Sequence, residues 1–366
     1  MAVELLGWGL DMWAYMALAA VAGGAFGAAI GALPAFSFTG FMVIAGEAVN
    51  ILQSELAGVT DLPTGEIAVG VTGSVAFGPI FGPHISFAGG VAAAAYAAKH
   101  DKIQSGFDYH NAKDITYALG TEPDVLAVGG LFGVLGLTIT RFSATTGLPW
   151  DPIAIAVVLS AVASRLVFGY PIIGKARGEG LLDMTPFERE EMRAAGAGGG
   201  GGGGEEAAAA DGGTVQADRL AVEPWLPHQY EWANVAAIGL VAGLVGGFVA
   251  LETGSAFLAF GISAASLIFL QLGVEQIPVT HHMTLPASTA ALAAAPLGLS
   301  DPALILVAAA FGAYAALVGE LVQRIFYAHS DTHLDPPAAA IVVGTFTVAV
   351  LYFAGVFPSA AWVPLP

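Results

Sequence analysis

A histidine followed two residues on by a hydroxyl occurs twice in this chain, in Gly82-Pro83-His84-Ile85-Ser86-Phe87 and in His281-His282-Met283-Thr284-Leu285-Pro286. Aligning His84 with His282 places Ser86 on Thr284 and Phe87 on Leu285. Each motif sits at a proline-marked break and runs into an Ala/Gly-rich apolar stretch, 88–98 and 287–295. Imidazole carries or accepts a proton near neutral pH, and a hydroxyl donates a hydrogen bond. Such a pair at a break in an apolar segment could orient or protonate a solute. His84, Ser86, His282, Thr284 and the adjacent His281 are therefore the candidate solute-binding residues. Ionisable groups within membrane segments tend to mark sites. The alternative is structural: Pro and Gly kink packed helices, and the histidines bond nearby carbonyls.

Three carboxylates are candidate ion or proton groups. Glu47 lies one helical turn from Asn50 with no basic residue near it in sequence. A lone carboxylate in lipid takes up a proton or a cation, although one at a helix end can also simply reach water. Asp151 and Asp335 each precede a proline, in Trp150-Asp151-Pro152 and Leu334-Asp335-Pro336. An aspartate before proline is a common helix start, so capping is the better reading of both. His329, Asp331, His333 and Asp335 have the residue types of a metal-ligand set, but the first half has no histidines at the matching place, and we expect a solvated loop and no metal.

These residues must be held by membrane segments. The chain is 56% hydrophobic with 11% charged residues, where soluble domains carry about 25% charged residues. Its formal charge is −18 and it contains no cysteine. The acidic, lysine-poor exterior suits concentrated salt, where repulsion is screened. It argues against nucleic acid as a partner, which requires basic patches. Without cysteine, disulfides and thiolate chemistry are excluded. No phosphate-loop motif, His-Glu-x-x-His pair or Gly-x-Ser-x-Gly elbow is present. We expect neither an enzyme nor a cofactor.

Apolar runs predict spans at about 14–33, 35–52, 67–98, 124–141 and 152–170, then 233–252, 254–272, 278–297, 302–326 and 336–356. The third is interrupted at Gly78-Pro79-Ile80-Phe81-Gly82-Pro83. Residues 1–170 form a first membrane repeat and 233–366 a second. The acidic, glycine-rich stretch 171–232 between them reads as a flexible linker. Four anchors recur in order: Gly23, Gly27 and Gly31 with Gly239, Gly243 and Gly247; the two His motifs; Phe132-Gly133 with Phe311-Gly312; and the two Asp-Pro starts. Five spans per repeat force the second to enter from the opposite face, giving an all-α membrane protein of two inverted five-helix repeats, each with a broken helix. Nine of the loop Lys and Arg residues fall on one face and Arg141 alone on the other. The positive-inside rule then puts the linker in the cytoplasm and both termini outside.

The stretches Gly27-Ala-Ala-Ile-Gly31-Ala-Leu-Pro34-Ala-Phe-Ser-Phe-Thr-Gly40 and Phe77-Gly-Pro-Ile-Phe-Gly-Pro-His84-Ile-Ser-Phe-Ala-Gly-Gly90 resemble a family of uncharacterised multi-pass membrane proteins of halophilic archaea. That resemblance implies the membrane class and the source, and no activity. The first stretch is also similar to the Gly-x-x-x-Gly-x-x-Pro segments of tricarboxylate-type permeases, over about one span.

The expected function is a secondary transporter or permease for a small polar solute. An anionic one is favoured if the broken helices present free N–H groups. The alternatives are a passive channel of the same architecture and a membrane scaffold subunit without a path. Lipid and a small-molecule solute are the expected partners, and a homo-oligomer is left open.

Overall fold

Aspartates, prolines and glycines set the helix ends. The Asp151 carboxylate accepts the amide N–H groups of Ile153 (2.8 Å) and Ala154 (3.2 Å), and Asp335 accepts that of Ala338 (2.9 Å). Pro152 and Pro336 then occupy first turns, where no N–H is needed. Gly169 and Gly254 close helices in the left-handed region, at φ 75° and 68°. Gly31, at φ 95°, splits what would be one long apolar helix into two.

The resulting computed structural model describes residues 4–57, 70–193 and 219–366. Its main helices are α1 (Leu10–Ile30), α2 (Ala32–Ala57), α3 (Ser86–Lys99), α4 (Pro123–Thr145) and α5 (Pro152–Phe168), followed by α6 (Trp232–Thr253), α7 (Leu258–Gln271), α8 (His281–Ala294), α9 (Asp301–Phe326) and α10 (Pro336–Phe353). A π-helical turn, Val71–Ala76, and an irregular stretch lead into α3. The only sheet among the described residues is a hairpin of β1 (Glu4–Leu5) and β2 (Trp8–Gly9). The fold is all-helical. Among the described residues, six helices are long and apolar enough to cross a membrane: α1, α2, α4, α6, α9 and α10. These ten helices stand where ten spans were expected, but α3, α7 and α8, of 14 residues each, are too short to cross alone, and α5, of 17, is at the lower limit. At 14 residues, α3 and α8 are about 21 Å long against a core of about 30 Å.

The same pairs pack in both halves. α1 packs on α3 and α4, and α3 and α4 pack on α5; α6 packs on α8 and α9, and α8 and α9 pack on α10. Glycines make these approaches close. Gly24 lies against Gly129 and Gly133, as Gly243 lies against Ala308 and Gly312; Gly27 lies against Ser86, as Gly246 lies against Thr284. These contacts correct the expected glycine register. Gly243 occupies the place of Gly24, and Gly246 that of Gly27, so the sequence alignment of the two triads was three residues off.

Across the halves, α2 packs on α7 and α5 on α10. Both pairs are antiparallel. Gln271, at the end of α7, donates to Leu33 O (3.2 Å) and Ser37 Oγ (2.6 Å) near the start of α2, while Gly40 meets Gly261 and Ala264, and Ser255 ahead of α7 reaches Glu47 further along α2. In the other pair, Asp151 N at the start of α5 donates to Thr345 Oγ1 (3.0 Å), ten residues into α10 from Asp335, while Arg165 Nε near the end of α5 donates to Thr332 Oγ1 (2.8 Å) just ahead of α10. Phe36, Phe87, Phe260, Leu285 and Ile341 of the largest apolar cluster lie at this junction.

The expected flexible linker, 171–232, is folded at both described flanks. Glu223 is fully buried, and Ala221, Val222 and Leu226 are buried beside it. The glycine run itself lies outside the described residues. Lys113 Nζ meets Glu223 Oε2 at 2.6 Å with both side chains fully enclosed, Arg219 contacts Glu223 and Asp331, and Arg193 contacts Asp331 at 2.8 Å. The Lys113 ammonium also sits 4.4 Å from the Tyr327 ring centre. Burial draws Lys113 down to about 8 and pushes Glu223 up. Hydrophobic content missed this clasp because its apolar surface is small and its closure is ionic. At the other end of the bundle, Arg141 Nε donates to Leu6 O (2.9 Å), and Gly147 lies against Leu365 and Pro366. The two chain ends therefore share one end of α4.

Candidate functional site

A cavity of about 360 Å³ lies between the halves. Helix starts reach it in matched positions: Asp151 and Ala154 of the α5 start face it, as do Asp335 and Ala338 of the α10 start. Val157 and Ile341 follow one turn on, and Phe87 of α3 and Leu285 of α8 line it as well. Its polar lining is Thr140, Asp151, Asp335 and His281. The rest is aromatic and aliphatic. Phe36 packs edge-on to Phe87 (5.8 Å) and Phe260 (6.0 Å), and Phe77 does so to Phe257 (5.5 Å). Trp225 and Trp362 close the wall from segments outside the helices.

The two His motifs contribute to this wall unequally. His281 lines it, with its ring 4.8 Å from Phe36 and 5.8 Å from Phe260. His84, Ser86, His282 and Thr284 do not line it. His84 folds back over Gly82, where a Cβ would fall 2.5 Å from the ring, and its backbone abuts Gly136 of α4. His282, one helical position past His281, turns away toward Trp225 and Gly319 of α9. Ser86 Oγ lies 3.4 Å from Phe81 O, and Thr284 Oγ1 donates to His281 O at 3.2 Å. Local backbone thus takes up the hydroxyls that were expected to bind solute, and the motifs present apolar neighbours (Pro83, Phe87, Leu285) to the cavity instead. His84, His281 and His282 are all buried, and the Nδ1 atom of each has no hydrogen-bond partner among the described residues.

Glu47 is not the lone carboxylate its sequence context suggested. It is buried and accepts from Asn50 Nδ2 (2.9 Å), Thr72 Oγ1 (2.7 Å) and Ser255 Oγ (2.5 Å). Thr72 belongs to the π-helical turn, a distortion frequent at functional sites. Ser255 Oγ already accepts the amides of Phe257 (3.1 Å) and Leu258 (3.0 Å), so its proton points to Glu47. Three neutral donors, one from the second half, thus surround a buried carboxylate beside Gly73 and Phe257 of the cavity wall. Sequence reading missed these partners because they lie 25 and 208 residues away.

Asp151 and Asp335 cap α5 and α10 as their Asp-Pro context implied, and both also line the cavity. Asp335 Oδ1 takes a further contact from His333 Nε2 at 3.1 Å. The remaining members of that histidine-rich stretch diverge: His329 meets Leu181 O and the Arg177 amide, and Asp331 meets the two arginines. No group of three His, Asp or Glu side chains placed to hold a metal ion occurs among the described residues.

No curated protein and no solved structure matches the chain. A profile for a family of unknown function, DUF7973, spans residues 8–366, and the chain belongs to that family.

Proposed function

We propose that the protein is a membrane permease of two inverted five-helix repeats, α1–α5 and α6–α10, which moves a small solute through the cavity between them. The cavity carries this reading: it lies on the junction of the halves and draws corresponding residues from each. Antiparallel packing of α2 on α7 and of α5 on α10 supports inversion, since helices related by an axis in the membrane plane run in opposite directions where they meet. The short α3 and α8 enter to mid-depth, and the irregular stretches before them complete the crossing. Both chain ends then lie outside and the central segment in the cytoplasm, in line with the basic loops. Rocking of one repeat on the other about the α2–α7 and α5–α10 contacts would open the cavity to each face in turn. Glu47, tied to the second half through Ser255, would couple that motion to a proton or a cation.

The test is uptake of a labelled panel of small amines, alcohols and carboxylates into vesicles containing the purified protein. Saturable uptake of one class, abolished by Ala154→Trp in a protein that still inserts and folds, is expected. Absence of uptake for every class, with Ala154→Trp changing neither stability nor ligand response, would leave a scaffold subunit as the reading.

A further inference from the structure

We infer that the solute is a protonated amine with an apolar or aromatic body, bound by Asp151, Asp335 and His281; this rests on the permease reading above. Charge is the first ground. The cavity is lined by two carboxylates and by no lysine or arginine. Of the helix N-termini that reach it, those of α5 and α10 are already capped by the same two aspartates, while that of α8, which opens on His281, has no side-chain cap. A helix N-terminus offsets roughly half a charge, so each site keeps a net negative field. An anion entering here would meet two carboxylates, with only the partial positive charge of the α8 N-terminus to set against them.

Unused hydrogen-bonding capacity is the second ground. Both capping bonds to Asp151 end on its Oδ1. His281 is 5% exposed, lines the cavity, and has no partner for Nδ1. A buried polar atom without a partner costs on the order of 1–3 kcal/mol, which a ligand N–H at this wall would relieve. Aromatic lining is the third ground. Phe36, Phe77, Phe257 and Phe260 with Trp225 and Trp362 suit the apolar or aromatic body of such an amine. The volume, about 360 Å³, lies in the range of small-molecule pockets. One carboxylate stands toward each end. Asp151 lies beside Thr345, ten residues from Asp335, about 15 Å along α10. An amine can therefore pass from one aspartate to the other between the two faces.

The experiment compares three probes of one shape on the purified full chain at pH 7: 2-phenylethylamine, 2-phenylethanol and 3-phenylpropanoate. Tryptophan emission reports binding directly, because Trp225 and Trp362 lie in the wall, and the melting temperature reports it independently. The amine should shift both, the alcohol should bind at least ten-fold more weakly, and the carboxylate should not bind. Asp151→Asn and Asp335→Asn remove charge but keep a good cap, so each should fold and weaken amine binding at least ten-fold. Equal or better binding of the alcohol or carboxylate, or amine binding unmoved in both Asn variants, overturns the assignment. So does binding of none of the three. In each of these cases uptake blocked by Ala154→Trp would leave the permease reading standing, whereas its absence would remove both.

Discussion

Two glycine contacts with different neighbours allow the packing to be tested by rescue. A Cβ placed on Gly247 of α6 would fall 2.4 Å from the Cβ of Ala308 on α9, with the next atom 3.5 Å away. Carbon atoms in contact sit about 3.5–4.0 Å apart, so Gly247→Ala is more than 1 Å too close to a single methyl. Overpacking of this kind costs about 1–3 kcal/mol, and the gain of alanine over glycine in a helix returns about 1 kcal/mol. Ala308→Gly alone loses that helix term and a buried methyl, about 1–2 kcal/mol together. In the double variant the clash is gone and the helix terms cancel. Stability should return close to the starting value, with a coupling of about 1–3 kcal/mol. At Gly40 of α2 the new Cβ would meet backbone instead: Ala265 N at 2.3 Å, and Ala264 C and Gly261 O at 2.8 Å. Gly40→Ala should be destabilising, and Ala264→Gly should not rescue it, because no side chain is in the way. Denaturant titration in detergent measures both cycles. Additive losses at Gly247 and Ala308, or rescue at Gly40, would refute the helix contacts described.

Three further outcomes follow from the same geometry. His110 accepts the Ala112 amide through Nδ1 (3.1 Å), and burial lowers it to about 4 from an ordinary 6.5. Between those values the unfolded chain binds a proton that the folded one does not, so stability is full above pH 6.5 and falls as the pH drops toward 4, by on the order of 3 kcal/mol. His110→Asn, which keeps an accepting cap, should lessen the fall of the unfolding midpoint across that window; an unchanged slope would exclude His110 as a contributor. Deleting 196–210 should leave insertion and melting unaltered, because the buried clasp of Lys113, Glu223, Arg219 and Asp331 lies outside the deletion; a fall in melting temperature would show that the glycine segment carries contacts. Ser255→Ala should cost about 1–3 kcal/mol by leaving Glu47 short of a donor and α7 short of its cap, and a neutral result would refute the tie between halves.

Helix positions were legible because apolar length and Asp-Pro or Gly punctuation are local signals. Asp151-Pro152 and Asp335-Pro336 start helices as their residue types dictate. The glycine register was not legible. Gly23, Gly24, Gly27 and Gly31 offer several matches at spacings of three and four to Gly239, Gly243, Gly246 and Gly247, and only the partner helices choose among them. Recurrence of the His motifs located the starts of the short helices α3 and α8 and the cavity's neighbourhood, but not which side chains face it. His281 and His282 differ by about 100° on α8, and that angle decides between cavity and protein interior. Trp225 and Trp362 were invisible as wall residues because one comes from the supposed linker and the other from the tail. Glu223 was hidden for a similar reason: an isolated glutamate in an acidic, polar stretch gives no sign of a buried lysine 110 residues away.

Side-specific labelling tests the central claim, two inverted halves around one cavity, most directly. The chain has no cysteine, so single cysteines can be introduced without background. Ala144→Cys lies at the α4 end near the chain termini, and Leu182→Cys lies against Arg324 at the α9 end. On intact cells, a membrane-impermeant maleimide should label the Ala144 site at once and the Leu182 site only after permeabilisation. Labelling of both sites from the same side would put the ends of α4 and α9 on one face and contradict the inverted arrangement.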